Sequence, residues 1–77
     1  METKMVDITL HIDETLPAAE RERFRDKILK LNGVMAADLH EDKPHLMVIE
    51  YDPDRINSAK FLETAKQQGV HAELIGL

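Results

Sequence analysis

The chain contains no cysteine and no tryptophan, and only one tyrosine and two phenylalanines. Without thiols there can be no disulfide, no thiolate metal site and no thiol nucleophile. With so few aromatic rings there is no stacking platform for single-stranded RNA. Positive charge is also short: ten Lys and Arg stand against fifteen Asp and Glu, a formal net charge of −5. Binders of nucleic acid or of anionic membranes need a basic face to displace counterions, so neither partner is expected. No apolar run approaches the roughly 18 residues of a membrane span. The opening Met1-Glu2-Thr3-Lys4-Met5 lacks the apolar core of a signal peptide and leads into a strand, so the expected compartment is the cytoplasm. There is no low-complexity run and no linker.

What is present suits one small domain over residues 1–77: 43% of residues are hydrophobic and 32% charged. Val6, Ile8, Leu10 and Ile12 alternate with Asp7, Thr9 and His11, the pattern of a half-buried strand. Pro17 suits a first helical turn and Thr15 a cap; Phe24, Ile28 and Leu31 then recur at helical spacing. Arg21, Glu22, Arg25 and Asp26 fall on the other, solvated faces. Gly33 ends this helix. A second strand runs from Val34 to His40 with Met35, Ala37 and Leu39 on one side. Glu41-Asp42-Lys43-Pro44 turns into a third strand, His45 to Tyr51, stopped by Asp52-Pro53. Asn57 or Ser58 caps a second helix carrying Phe61, Leu62 and Ala65, and Gly69 ends it. Val70, Ala72 and Leu74 alternate in a last strand. Met35 and Met47 fit core packing.

Two strand–helix–strand units in tandem give an α+β, ferredoxin-like βαββαβ sandwich. Right-handed crossovers place both helices on one face of a four-stranded antiparallel sheet, in the order 4-1-3-2. The segments Leu31-Asn32-Gly33-Val34, Tyr51-Asp52-Pro53 and Gly69-Val70, at this spacing, make the chain resemble a heavy-metal-associated domain of the copper-chaperone and metal-ATPase type. That family carries a Met-x-Cys-x-x-Cys loop between the first strand and first helix. Counting back from Gly33 by the family's spacing puts the cysteine positions at Pro17 and Glu20 and the methionine position at Thr15. The scaffold positions match and the thiolate ligands do not. The resemblance implies a non-catalytic, metal-associated module with a metal transporter or another protein as partner. No nucleophile–base pair or paired carboxylates have readable spacing, so no enzyme is expected. RNA-recognition motifs, acylphosphatase-like enzymes and amino-acid-binding regulatory domains share this topology but fit less well. The first need sheet aromatics, and the others an arginine or glycine in the loop that Asp13-Glu14-Thr15 occupies.

Four histidines are the other candidate ligands. His11 and His40 end the first and second strands; His45 and His71 begin the third and fourth. In this topology all four lie at the end of the sheet that carries the family's metal loop. Alternation puts His11 and His71 on the helix-free face of adjacent strands, and His40 on that face from the far edge. Wet strand ends also hold histidines that need no partner. Four strands at about 4.8 Å spacing spread over roughly 14 Å, so one ion cannot touch all four. A pair alone is a weak site for zinc, nickel or Cu(II); Glu73, Glu14 or Asp13, or a second chain, would have to complete it. Two functions therefore stay open: metal binding or a metal transport and detoxification accessory role through histidines, or a metal-free interaction and assembly module. The helix-free face offers a homodimer surface, with Leu46, Val48, Ala36 and Ile75 ringed by Asp7, Thr9, Asp38, Glu50 and Glu73. Because soft thiolates select Cu(I), the chain is expected to lose Cu(I) to excess glutathione; stoichiometric retention in that competition would contradict this reading.

Overall fold

The computed structural model describes residues 4–75; Met1, Glu2 and Thr3 at the start lie outside the described residues, as do residues 76 and 77. The elements run β1 (Val6–Ile12), α1 (Ala18–Leu29), β2 (Val34–His40), β3 (Lys43–Tyr51), α2 (Ala59–Gln67) and β4 (Ala72–Ile75). They form one four-stranded antiparallel sheet in the order β2-β3-β1-β4, the order expected from sequence. In the central pair Leu10 lies opposite Met47 and Ile8 opposite Ile49. Alternation sends Leu10, Ile12, Met47, Ile49 and Tyr51 to the helix side, where all are buried. Phe24 and Ile28 of α1 and Phe61 and Ala65 of α2 complete the core, with Leu31, Leu62, Leu39, Ala72 and Leu74 packed at its margin. The Tyr51 and Phe61 rings meet edge to face, with centroids 5.1 Å apart.

Four boundaries differ from the sequence expectation. Pro17 is the N-cap of α1 rather than a helical residue, with φ −58° and ψ 152°, and Thr15 does not cap: no side chain bonds this helix end. The Pro17 carbonyl instead accepts the Glu20 and Arg21 amides, each at 3.0 Å. The third strand begins at Lys43, and Pro44 lies within it beside an irregularity in the β2–β3 ladder, where a missing N–H is tolerated. A second irregularity between Val34 and Ala36 leaves Met35 unpaired and 55% exposed, not in the core. Val70, expected in the last strand, precedes it and belongs to the cap of α2.

Arg21 and Arg25 correct the expectation most. Instead of pointing to solvent they are half-buried, because they continue the Phe24–Ile28 stripe along the edge of the sheet. Their aliphatic stems cover apolar surface that α1 lacks the hydrophobic residues to cover.

Three short signals set the corners. The amide of Asp52 donates to the Gly33 carbonyl at 2.8 Å, tying the α1–β2 turn to the end of β3. The carbonyl of Asp52 accepts the Arg55 and Ile56 amides, and its buried carboxylate accepts the Asp54 amide at 2.9 Å. At the start of α2 the Asn57 side chain accepts the Ala59 amide at 2.9 Å, so Asn57 rather than Ser58 supplies the side-chain cap. At its end the Gly69 amide donates to Lys66 and the Val70 amide to Ala65, at 3.0 and 2.9 Å. That pattern, with buried Val70 as its apolar contact, is a Schellman cap.

Gly33 and Gly69 both have positive φ, but their surroundings differ. A Cβ on Gly69 (φ 72°) meets nothing within 4 Å, whereas one on Gly33 (φ 102°) falls 2.9 Å from both Arg55 Cβ and Ile56 Cγ2. Gly69→Ala is therefore expected to cost about 1–2 kcal/mol from backbone strain alone. Gly33→Ala is expected to cost more, about 2–4 kcal/mol, because strain and overpacking add. Urea unfolding of the two variants checks the order; equal losses would mean that the close approach at Gly33 is relieved cheaply.

Candidate functional site

The β1–α1 loop, residues 13–17, meets the entry to β4 at one end of the sheet. The Asp13 amide donates to the His71 carbonyl at 2.8 Å, continuing the β1–β4 ladder beyond its last paired residues. Glu14 then reaches across. One carboxylate oxygen accepts the His71 amide at 2.8 Å and the other meets His71 Nδ1 at 2.5 Å. The Schellman cap presents His71 for this contact: it buries Val70 and leaves the next side chain facing outward.

Two further histidines of this end are also held through Nδ1. His45 Nδ1 donates to the Ile12 carbonyl at 2.7 Å. Because a carbonyl only accepts, the proton is on Nδ1 and the lone pair of the neutral ring is on Nε2. His11 Nδ1 lies 3.1 Å from Asp13 Oδ1, and donation from Nδ1 to that oxygen gives the same tautomer. The His11 and His45 rings stack with centroids 5.9 Å apart and planes 19° from parallel.

The histidines thus gather at one end, but in different pairs from those the sequence suggests. The ladder places Glu73 and Leu46 opposite His11, while His71 lies beyond it and engages Glu14. His45, on the opposite side of the alternation, is the ring that reaches His11. His40 stays on the edge strand β2. Asp13 and Glu14 hold histidine nitrogens. Among the described residues no group of three or more His, Asp or Glu side chains is placed to hold a metal ion together. Sequence reading could not find the His45–Ile12 bond, because a backbone carbonyl leaves no trace in side-chain spacing. The Glu14–His71 contact spans 57 positions and depends on the cap of α2.

The positions matched to the family's cysteines, Pro17 and Glu20, flank the start of α1 and are joined by the backbone bond already described. The helix-free face carries half-buried Leu46 and Val48, with Ile75 44% exposed. No helix among the described residues is long and apolar enough to cross a membrane.

Similar solved structures include domains of P-type ATPases. A copper binding domain from HMA7, a P-type ATPase, aligns with a TM-score of 0.81 at 18% identity, over 91% of this chain and 93% of the other. Oxidized MerP from Ralstonia metallidurans CH34 gives 0.84 at 16% identity, over 95% and 100%. The N-terminal domain of a potential copper-translocating P-type ATPase from Bacillus subtilis, in its Cu(I)-loaded state, gives 0.84 at 20%, over 95% and 90%. No protein-family model matches the sequence, and no curated protein matches it. The fold is that of the heavy-metal-associated domains, as the turn motifs indicated.

The Glu14–His71 contact has a defined pH signature. The side-chain hydrogen bond from His71, followed by that from its backbone, lowers the Glu14 pKa from its ordinary 4.5. The side-chain hydrogen bond to Glu14, then its charge, raises that of His71 from 6.5. The histidine's share of stability is complete below 6.5 and is lost as pH rises through its raised value; the glutamate's is complete above 4.5 and is lost as pH falls through its depressed value. The charged form of the contact is therefore complete between about pH 4.5 and 6.5. The His71 ring protons, followed by NMR, should titrate above the ordinary histidine range, and Glu14→Gln should bring them back toward it. An unchanged midpoint in that variant would mean that the contact does not form in solution.

Proposed function

We propose that this chain is a small, non-catalytic metal-associated module that takes a borderline divalent ion, Zn(II), Ni(II) or Cu(II), through imidazole nitrogens. The observation that carries the reading is the set of occupied Nδ1 atoms. His11, His45 and His71 each have Nδ1 against an oxygen acceptor and Nε2 without a hydrogen bond among the described residues, in a fold shared with a copper binding domain and a Cu(I)-loaded domain. Fixing the tautomer from behind is how proteins prepare Nε2 as a ligand. His11 is the central candidate, with His71 and His45 on either side of it and Glu73 opposite it in the ladder. His40 is the outlying candidate. One chain supplies an incomplete set, so water or a second chain provides the remaining ligands.

The half-buried Leu46 and Val48 and the exposed Ile75 of the helix-free face favour a second reading, a metal-free assembly module acting as a homodimer or on another protein. The readings converge if two sheets pair face to face, because His11 lies on that face and each chain would bring one. Either role suits a cytoplasmic accessory to metal transport or detoxification, with a transporter as protein partner.

Titration of the purified chain with Zn(II), Ni(II) and Cu(II) separates the two. Binding is expected to disappear on acidification, since a ligating imidazole must be neutral, and to fall in a His11→Ala, His71→Ala double variant. A double variant that binds as well as the parent removes the histidine site. Sedimentation with and without Zn(II) reads the assembly: a monomer in both conditions removes the shared site and the dimer together.

A further inference from the structure

A second site candidate lies at the edge of the sheet, separate from the histidines His11, His45 and His71. A cleft of about 200 Å³ opens between α1 and the edge strand β2, lined by Ala18, Arg21, Glu22, Arg25, Leu39, His40 and Glu41. Arg21 and Arg25 stand one helical turn apart, so both guanidinium groups project to the same side of α1. Their Nε atoms are shut off from solvent and neither has a hydrogen-bond partner. Arg25 keeps one long contact, Nη2 to Asp26 Oδ1 at 3.4 Å. Among the described residues neither guanidinium has an ion pair with Glu22 or Glu41, although both line the cleft.

Each Nε–H, closed to water and without an acceptor, loses its hydration and gains nothing. Two like charges one turn apart also repel. The Nε–H and its neighbouring Nη–H form the fork that recognises two oxygens of one carboxylate or phosphate group. We propose that the Arg21–Arg25 cleft binds a small oxyanion, a phosphate or carboxylate group held between the two guanidinium forks. The cleft opens at the edge strand β2, where a turn of the two half-buried arginine side chains brings their Nε–H groups to the anion, and Leu39 gives it an apolar wall. Glu22 and Glu41 limit the charge it accepts, which favours a compact anion over a polyanion. The site is independent of the metal reading and does not require it.

The test is NMR titration of the full chain with sodium phosphate in one arm and sodium malonate in the other, at constant ionic strength made up with chloride. The expected result is saturable shifts of the Arg21 and Arg25 Nε–H signals and of the Leu39–Glu41 amides, with slower exchange of those Nε protons. The stronger arm identifies the preferred oxyanion. Arg21→Gln and Arg25→Gln should each weaken binding by roughly tenfold, the loss of one charge-assisted contact. Arg21→Lys and Arg25→Lys, which keep the charge and remove the fork, should fail to restore it, and their dispersed spectra would show that the fold is intact. Shifts in neither arm, shifts spread without saturation over every basic residue, or undiminished binding in the lysine variants would each overturn the proposal.

Discussion

Leu10, Ile12, Met47 and Ile49 sit in the two central strands and are essentially closed to solvent, sealed by Phe24, Ile28 and Phe61 from a single side. A chain this short can build one core layer, so both helices must lie on the same face of the sheet. That one-sidedness governs the rest. It makes alternation along β1 decisive, sending Leu10 inward and His11 outward. It leaves Leu46, Val48 and Ile75 on a face that neither helix covers. It also requires each helix to cover a wide area with few apolar residues. For α1 the shortfall is met by the stems of Arg21 and Arg25, which draws two guanidinium groups under the helix edge.

The topology was legible because its determinants are local. Gly33, Asp52 and Gly69 each satisfy backbone geometry within a few residues or at one close approach, and period-two patterning marks β1. Less legible were features that depend on what lies across the sheet. Met35 reads as a core residue until a bulge shifts its register against β3. Arg21 and Arg25 read as solvated until the edge of the sheet proves to need covering. Pro44 reads as a turn, because a proline within a strand is acceptable only beside an irregularity, which side-chain sequence does not announce. The site was legible in part for the same reason. Strand polarity placed four histidines at one end, but the partners of His45, His11 and His71 are a backbone carbonyl, a nearby carboxylate and a distant one. Only the last two have side chains that spacing could suggest, and spacing suggested them as metal ligands.

The acidic balance of the chain takes on a specific meaning at the histidine end. Asp13 and Glu14 would repel a phosphate, yet each holds an imidazole by Nδ1, and they hold His11 and His71 on different elements. A carboxylate behind an imidazole increases its basicity and fixes its orientation, which helps a metal ligand and also stabilises a protonated ring. The same contact therefore serves opposite ends according to pH. With the proton on, Glu14 and His71 are an ion pair that fastens the loop to β4; with Nε2 deprotonated, the ring keeps its orientation and offers a lone pair.

Fastening of that kind explains how the fold stands without thiolates at Pro17 and Glu20. In a domain that carries metal between the first strand and first helix, the ion itself can bridge the loop. Here the loop is joined to the sheet by the Asp13–His71 backbone bond and by Glu14, which spans both the His71 amide and its ring. The first helix starts from Pro17 through backbone bonds alone. The far end of the molecule is closed separately, by the Asp52–Gly33 bond and the packing of Ile56 against Gly33. Scaffold and ligand set are thus separable. The corner that demands glycine is remote from the histidines, and the β1–α1 loop is secured by protein groups. A chain built this way keeps its architecture without a metal ion to bridge that loop.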